Sequence, residues 1–139
     1  MKNEKYTSKN MNILFWVTQV LLAVILIMGA IMKFLPIEKI APMMPWTGQI
    51  PALFVRLLGI IDLLGAVGLI LPSLLKIKPQ LTFWTSLCII ALMLCAIVFH
   101  ISRGEATSIG INIFSMIIAA FIAWGRYEKR GMCKERREM

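Results

Sequence analysis

The sequence predicts an all-α protein, a four-helix transmembrane bundle with both termini on the cytoplasmic side. Three observations carry this expectation. Hydrophobic residues make up 59% of the 139-residue chain and charged residues only 16%, with a mean hydropathy of +0.80. Soluble domains lie nearer about 45–50% apolar and about 25% charged, and a single domain of this size has no interior large enough to hide the excess. The apolar residues fall in four runs, and about 20 such residues cross a hydrocarbon core about 30 Å thick. The Lys and Arg residues gather at the two chain ends and in one short loop, the pattern that orients a protein in a bilayer.

The elements follow in order. Residues 1–12 are a cytoplasmic lead segment, 13–125 the transmembrane domain and 126–139 a basic cytoplasmic tail. The first run, 13–35, is interrupted only by Thr18, Gln19 and Lys33. Lys2, Lys5 and Lys9 precede it like the positive region of a signal peptide, but the apolar stretch is too long and lacks an A-x-A-like cleavage site. An uncleaved helix is the reading. The second run, 52–71, carries Arg56 and Asp62; the third, 81–101, has His100 as its penultimate residue. The fourth, 109–125, is shorter and is opened by Asn112 and Ser115. Pro36, Pro51, Pro72 and Pro79 punctuate the gaps, where helices stop and start. No run alternates as a barrel strand would.

Counting cations sets the orientation. With the N-terminus cytoplasmic, the inner segments hold eleven: Lys2, Lys5, Lys9, Lys76, Lys78, Arg126, Lys129, Arg130, Lys134, Arg136 and Arg137. The outer segments hold three, Lys33, Lys39 and Arg103, and Arg56 lies inside the second run. The net charge of +8 therefore speaks for topology, not for nucleic acid, which needs a basic soluble face. Aperiodic Gly and Pro exclude collagen, and the apolar content excludes disorder. Three cysteines do not make a disulfide framework. Cys88 and Cys95 share a helix face about 10 Å apart along the axis, too far for a disulfide, and read as small hydrophobes. Cys133 falls in the cytoplasmic tail.

Threaded this way, the polar residues collect at one end. Lys33 lies near the outer end of the first helix, Arg56 about 6 Å below the outer surface and Asp62 about 15 Å deep. His100 reaches the outer edge, the next loop supplies Arg103 and Glu105, and Asn112 and Ser115 open the fourth helix. On this reading the inner half of the spans contains no ionisable residue. Intramembrane charges are expensive and face the bundle interior, paired or lining a wet cavity. Gly59, Gly65 and Ala66 around Asp62 allow a second helix to approach, and Ser115, Ala119 and Ala123 form a packing stripe on the fourth. The candidate polar pocket is Lys33, Arg56, Asp62, His100, Glu105 and Asn112. The structural alternative is that Asp62 only neutralises Arg56 or Lys33 and the rest hydrogen-bonds across helices.

His100 is the sole histidine, so bis-histidine haem ligation within the chain is excluded, and its neighbours are a weak ligand set for zinc or copper. No metal site is expected. A histidine bonded to a carboxylate, able to give or take a proton, is the expectation. The loop from Pro36 to Pro51, with Met43, Met44 and Trp46, either anchors in the outer interface or caps the polar cluster.

The segments GAIMKFLP, RLLGIIDLLGAVGLILP, CAIVFH and WGRY together resemble the DoxX-like family of small four-helix membrane proteins, over about residues 12–127. The family's second helix shows G-x-x-E-x-x-G; Gly59, Asp62 and Gly65 match it with aspartate for glutamate. Members include a subunit of a thiosulfate:quinone oxidoreductase, membrane partners of enzymes of thiol oxidative stress, and distant relatives that assist receptor assembly. The resemblance implies a small accessory subunit of a membrane redox complex, with a quinone or sulfur-compound pocket in its outer half and quinone as cofactor. In that reading Lys33 and Arg56 attract an anionic or carbonyl group, Asp62 orients them and His100 moves a proton. An enzyme acting alone is not expected, because no nucleotide, flavin or haem motif is visible. The expected partners are membrane lipids, a redox protein and a second copy of the chain, in a multi-pass cell-membrane setting, the plasma membrane of a bacterium. The rival classes are a scaffold without chemistry of its own and a small transporter, whose inverted repeats and broken helices are not apparent.

Overall fold

A computed structural model describes the backbone of residues 2–75 and 80–138 and the side chains of residues 10–75, 80–106 and 108–127. Lys2, Lys5, Lys9, Lys76, Lys78, Lys129, Arg130, Lys134, Arg136 and Arg137, on which much of the charge count rests, lie outside the described side chains, as does Cys133.

Helix α1 spans Lys2–Phe34, a short α2 spans Ile37–Ile40, and a 3₁₀ turn covers Pro45–Gly48. Helices α3 (Ala52–Leu74), α4 (Gln80–Arg103) and α5 (Ala106–Glu138) follow. No strand occurs among the described residues. Four stretches are long and apolar enough to cross a bilayer: Asn10–Phe34, Ala52–Leu74, Gln80–Arg103 and Ser108–Tyr127. Helical pairing of the backbone is the condition hydrocarbon imposes on a spanning segment. The chain is a four-helix membrane bundle.

The helices close into a ring. α1 packs on α3, α3 on α4, α4 on α5 and α5 back on α1, with the α1–α3 and α4–α5 pairs the most extensive. Leu22, Ala23 and Leu26 of α1 meet Ala66 and Leu69 of α3, Ile89 and Met93 of α4, and Ile118, Ala119 and Ile122 of α5 in one core. The outward faces carry Val24, Leu53, Leu64, Val98 and Ile117, all well exposed, as lipid-facing positions should be. Small residues set the close approaches. A Cβ on Gly59 would sit 3.3 Å from Lys33 Cβ, one on Gly65 3.3 Å from Leu26 Cδ1, and one on Gly68 2.6 Å from Thr85 Oγ1. α1 is thus the helix that the glycines around Asp62 admit. Ser115, Ala119 and Ala123 are buried along one face of α5, as their spacing predicts.

Three element ends differ clearly from expectation, the first being the start of α1, at Lys2 and not near 13. α3 does not stop before Pro72 but carries it, buried, inside the helix and ends at Leu74. Transmembrane helices tolerate such prolines because neighbouring groups absorb the missing bond. α5 does not end near Gly125; it continues without a break through Glu138. Cys88 and Cys95 are exposed on α4, so they are lipid-facing hydrophobes and not interior ones.

Candidate functional site

One end of the bundle gathers the C-termini of α1 and α4, the N-termini of α3 and α5, and the α1–α3 loop. Its centre is an ion pair. Lys33 ends α1 and Asp62 lies three turns into α3; Lys33 Nζ donates to Asp62 Oδ2 at 2.5 Å, with the aspartate only 5% exposed. Gly29 lies under the pair: a Cβ there would meet Asp62 Oδ2 at 3.5 Å and Lys33 Nζ at 3.6 Å. Alanine at position 29 would make ordinary contact with both charges, and only a side chain longer than that would crowd them.

Arg56 is not a partner of Asp62. Its Nη1 donates to the carbonyl oxygens of Lys33 at 2.6 Å and Leu35 at 3.1 Å. Both lie at the end of α1, where carbonyls lack intrahelical donors and carry the negative end of the dipole. Arg56 is therefore a cap supplied by the next transmembrane helix. Arg56→Gln is expected to fray the last turn of α1, read as faster amide exchange at Met32 to Leu35 with the rest of α1 unchanged.

His100 and Glu105 form the second pair, through Nδ1 and Oε2 at 2.9 Å. The turn between α4 and α5 builds it. Gly104 takes φ +72°, the Gly104 N–H donates to the Ile101 carbonyl at 3.1 Å, and the Glu105 N–H donates to the His100 carbonyl at 3.0 Å. These are the two bonds of a Schellman closure, and glycine supplies the left-handed backbone it needs. The motif returns Glu105 over His100, so one turn places both the backbone and the side-chain contact. Arg103 stands 4.0 Å from the other Glu105 oxygen and over the Phe99 ring.

The long loop caps this pair. Trp46 is buried and packs edge-on against Phe99 and His100, with ring centroids 6.2 and 6.0 Å away. Thr47, also buried, donates to the Met44 carbonyl at 2.7 Å and closes the turn. Of the loop's two methionines, Met43 is exposed and Met44 half-buried. Asn112 is half-buried on α5, and among the described residues no hydrogen bond joins it to the other five. The ring nitrogen Nε2 of His100 likewise has no protein partner among them.

The opposite end corrects the expectation of an inner half without charge. Arg126 is only 7% exposed. Its Nη2 donates to Gln19 Oε1 and, at 3.3 Å, to Ser73 Oγ. Gln19, fully buried on α1, donates through Nε2 to the Leu69 carbonyl at 2.7 Å and to Ser73 at 3.1 Å. Ser73 lies 3.2 Å from Thr82 Oγ1 of α4. All four helices meet in this layer. Pro72, read as a helix end, hid Ser73, and Arg126, read as the first residue of a tail, hid the cation; a helical register carried through both positions reveals them.

The fold and its two polar ends define a small multi-pass membrane protein. The chain belongs to the DoxX-like family, whose sequence profile matches residues 17–122. No curated protein and no solved structure matches it. Among the described residues, no three His, Cys, Asp or Glu side chains lie close enough to hold a metal ion.

Proposed function

We propose that the chain is a membrane-embedded accessory subunit of a redox complex, and that its Lys33 end faces outward and receives the headgroup of a quinone or a small sulfur compound. The observation that carries the reading is the Lys33–Asp62 pair, a largely buried charge pair at the same end as a histidine with one uncommitted ring nitrogen. The residues fit such a headgroup. Lys33 Nζ has three donors and spends one on Asp62, which leaves donors for a carbonyl or sulfur-oxyanion oxygen. A quinone, when bound, supplies electron transfer coupled to protons.

The chain's own residues position and move the proton. Glu105 accepts from Nδ1–H, so in neutral His100 the free Nε2 is a base; once protonated, it is a donor. Asp62 fixes the direction of the Lys33 ammonium, and Trp46 keeps bulk water from the imidazole face. A redox partner protein would supply or take the electrons.

The test is labelling of the purified protein by a photoreactive quinone analogue. Labelled peptides are expected from the Lys33 end; Asp62→Asn is expected to abolish labelling and His100→Ala to weaken it about tenfold, one hydrogen bond's worth. Equal labelling of both variants and the wild type would overturn the assignment. Gentle purification from the native membrane is further expected to retain a redox protein.

One observation favours a scaffold instead: Arg56 Nη1 closes the end of α1, and Asp62 is already neutralised by Lys33. In a scaffold the polar groups serve assembly alone, and no quinone labelling occurs.

A further inference from the structure

The Lys33–Asp62 pair is roofed over at the end of the bundle, whereas the seam between α1 and α5 beside it is open to the bilayer. We infer that the site takes a membrane-dissolved ligand, a carbonyl-bearing head on an apolar tail, which enters sideways between α1 and α5. The inference rests on the redox reading for the head and on helix packing for the route.

The roof is the long loop. Ile40, Thr47 and Val55 are fully buried, and Trp46 nearly so. α2 packs on α1, the 3₁₀ turn on α3, and Trp46 on Phe99 and His100 of α4. Arg56 closes the end of α1, and Glu105 folds back over His100. A small sulfur compound arriving from water meets this cover first.

The seam changes along its length. At the Arg126 end it is shut: Phe15 stacks on Phe121 and fills the place of a Cβ on Gly125, and Gln19 accepts from Arg126. Next comes the shared core, with Leu22 and Leu26 of α1 and Ile118 and Ile122 of α5. Toward the Lys33 end the same two faces part. Ile111 stands two turns before Ile118 and three before Ile122 on one face of α5, yet it is 51% exposed where they are 8% and 0%. On α1, Phe15 and Leu22 are buried, and Gly29, next in that seven-residue series, is only half-buried. The two helices therefore leave a cleft at this depth, of the kind in which ligands sit between bundle helices.

The charge pair borders the cleft at Gly29. The place of a Cβ there meets Asp62 Oδ2 and Lys33 Nζ, and among the described residues nothing of α5 lies within 4 Å of it. The Lys33 side chain stays 15% exposed. An acyl chain in the cleft leaves these polar groups unanswered. Lys33 Nζ gives one of its three hydrogens to Asp62 Oδ2; the other two, and Asp62 Oδ1, bond to nothing among the described residues. The ammonium suits a carbonyl and the carboxylate suits a hydroxyl, so the cleft end fits a quinone-type head in its oxidised and its reduced form. Exposed Ile111 and Phe114 give the tail an apolar wall.

The experiment uses the full chain in nanodiscs and two photoreactive quinones, one reactive on the head and one at the far end of an isoprenoid tail. In the wild type the head probe is expected to label the Lys33 end, and the tail probe the α1 and α5 segments around Gly29 and Ile111. Ile111→Trp, which fills the cleft from the α5 side, is expected to cut both labellings about tenfold with an unchanged melting temperature. Val98→Trp, on the lipid face of α4, is expected to label like the wild type. Tail labelling on the Pro36–Pro51 loop or on another helix face, or full labelling of Ile111→Trp, overturns the sideways route and leaves the head assignment standing. A wild type that the head probe does not label overturns the inference together with the redox reading. Should Ile111→Trp fail to fold, the peptides that the tail probe labels in the wild type decide between side and roof.

Discussion

Gly125→Ala is expected to lower the stability of the bundle in detergent by about 1–3 kcal/mol, the usual cost of overpacking a tight interior. The reason is the Phe15 ring, which a Cβ at position 125 would overlap: its Cζ and Cε1 lie closest, and Cε2 is 2.8 Å away. Phe15 is buried and cannot swing aside freely, because it stacks on Phe121 with centroids 4.9 Å apart, and Phe121 in turn lies against Trp124. The damage should propagate, since Arg126 is the next residue and its bond to Gln19 depends on the same α1–α5 approach. Thermal melts of Gly125→Ala alone and with Phe15→Ala check the mechanism. In the Phe15→Ala background the glycine substitution should cost little, a coupling that two distant sites would not show. Equal penalties in both backgrounds would mean that the ring is not the obstacle. Gly68→Ala is a useful contrast. Its obstacle is the half-buried Thr85 side chain, whose nearest atom lies 2.6 Å away and so overlaps less than the Phe15 ring does, and a milder loss is expected.

The second large effect concerns the charge pair. Asp62→Ala is expected to destabilise the fold strongly, because Lys33 is left half-sunk without its counter-ion. Breaking a buried pair in a soluble protein costs about 3–5 kcal/mol; polar contacts in bilayers are weaker, about 1–2 kcal/mol, and Lys33 can extend outward, so a loss near the lower range is expected. Removing both charges, as Lys33→Met with Asp62→Leu, is expected to recover most of that stability, as apolar replacements of buried pairs often do. The double variant separates the two readings of the site. If the pair only holds α1 to α3, the variant should support every partner function; if it receives a ligand, the variant should be stable and inactive. Unfolding melts together with quinone labelling give both readouts on one sample.

The bundle and the charged end were legible because charges in hydrocarbon are rare and stand out against apolar runs. Lys33, Asp62 and His100 announced themselves this way, Glu105 came from the short loop beside His100, and up-and-down threading placed them together. What threading did not give was pairing. Arg56 and Asp62 share a broad side of one helix, yet the arginine turns to the carbonyls at the end of α1, because that end is unsatisfied and near. Asn112 carries no charge and entered the cluster on proximity alone; the structure leaves it without a bond to the others. The opposite layer was illegible for two local reasons. A proline ordinarily ends a helix, and a basic residue after an apolar run ordinarily stops it. Here α3 runs past Pro72 to bring Ser73 inward, and α5 runs past Arg126 while its side chain folds back. Gln19 was visible but looked like one of three tolerated interruptions of α1, with Thr18 and Lys33.

The two pairs at the charged end differ in how far apart their members stand in the chain. His100 and Glu105 are five residues apart and are joined by one turn, whereas Lys33 and Asp62 are separated by 29. During synthesis Lys33 therefore reaches the translocon ahead of Asp62. An aspartate at the centre of an inserting helix costs about 2.5–3.5 kcal/mol on biological insertion scales. The lysine already waiting at the end of α1 offsets that cost only if α3 leaves the translocon alongside α1. Pairing with the helix before it thus eases the insertion of α3, which favours release of the α1–α3 hairpin as one unit.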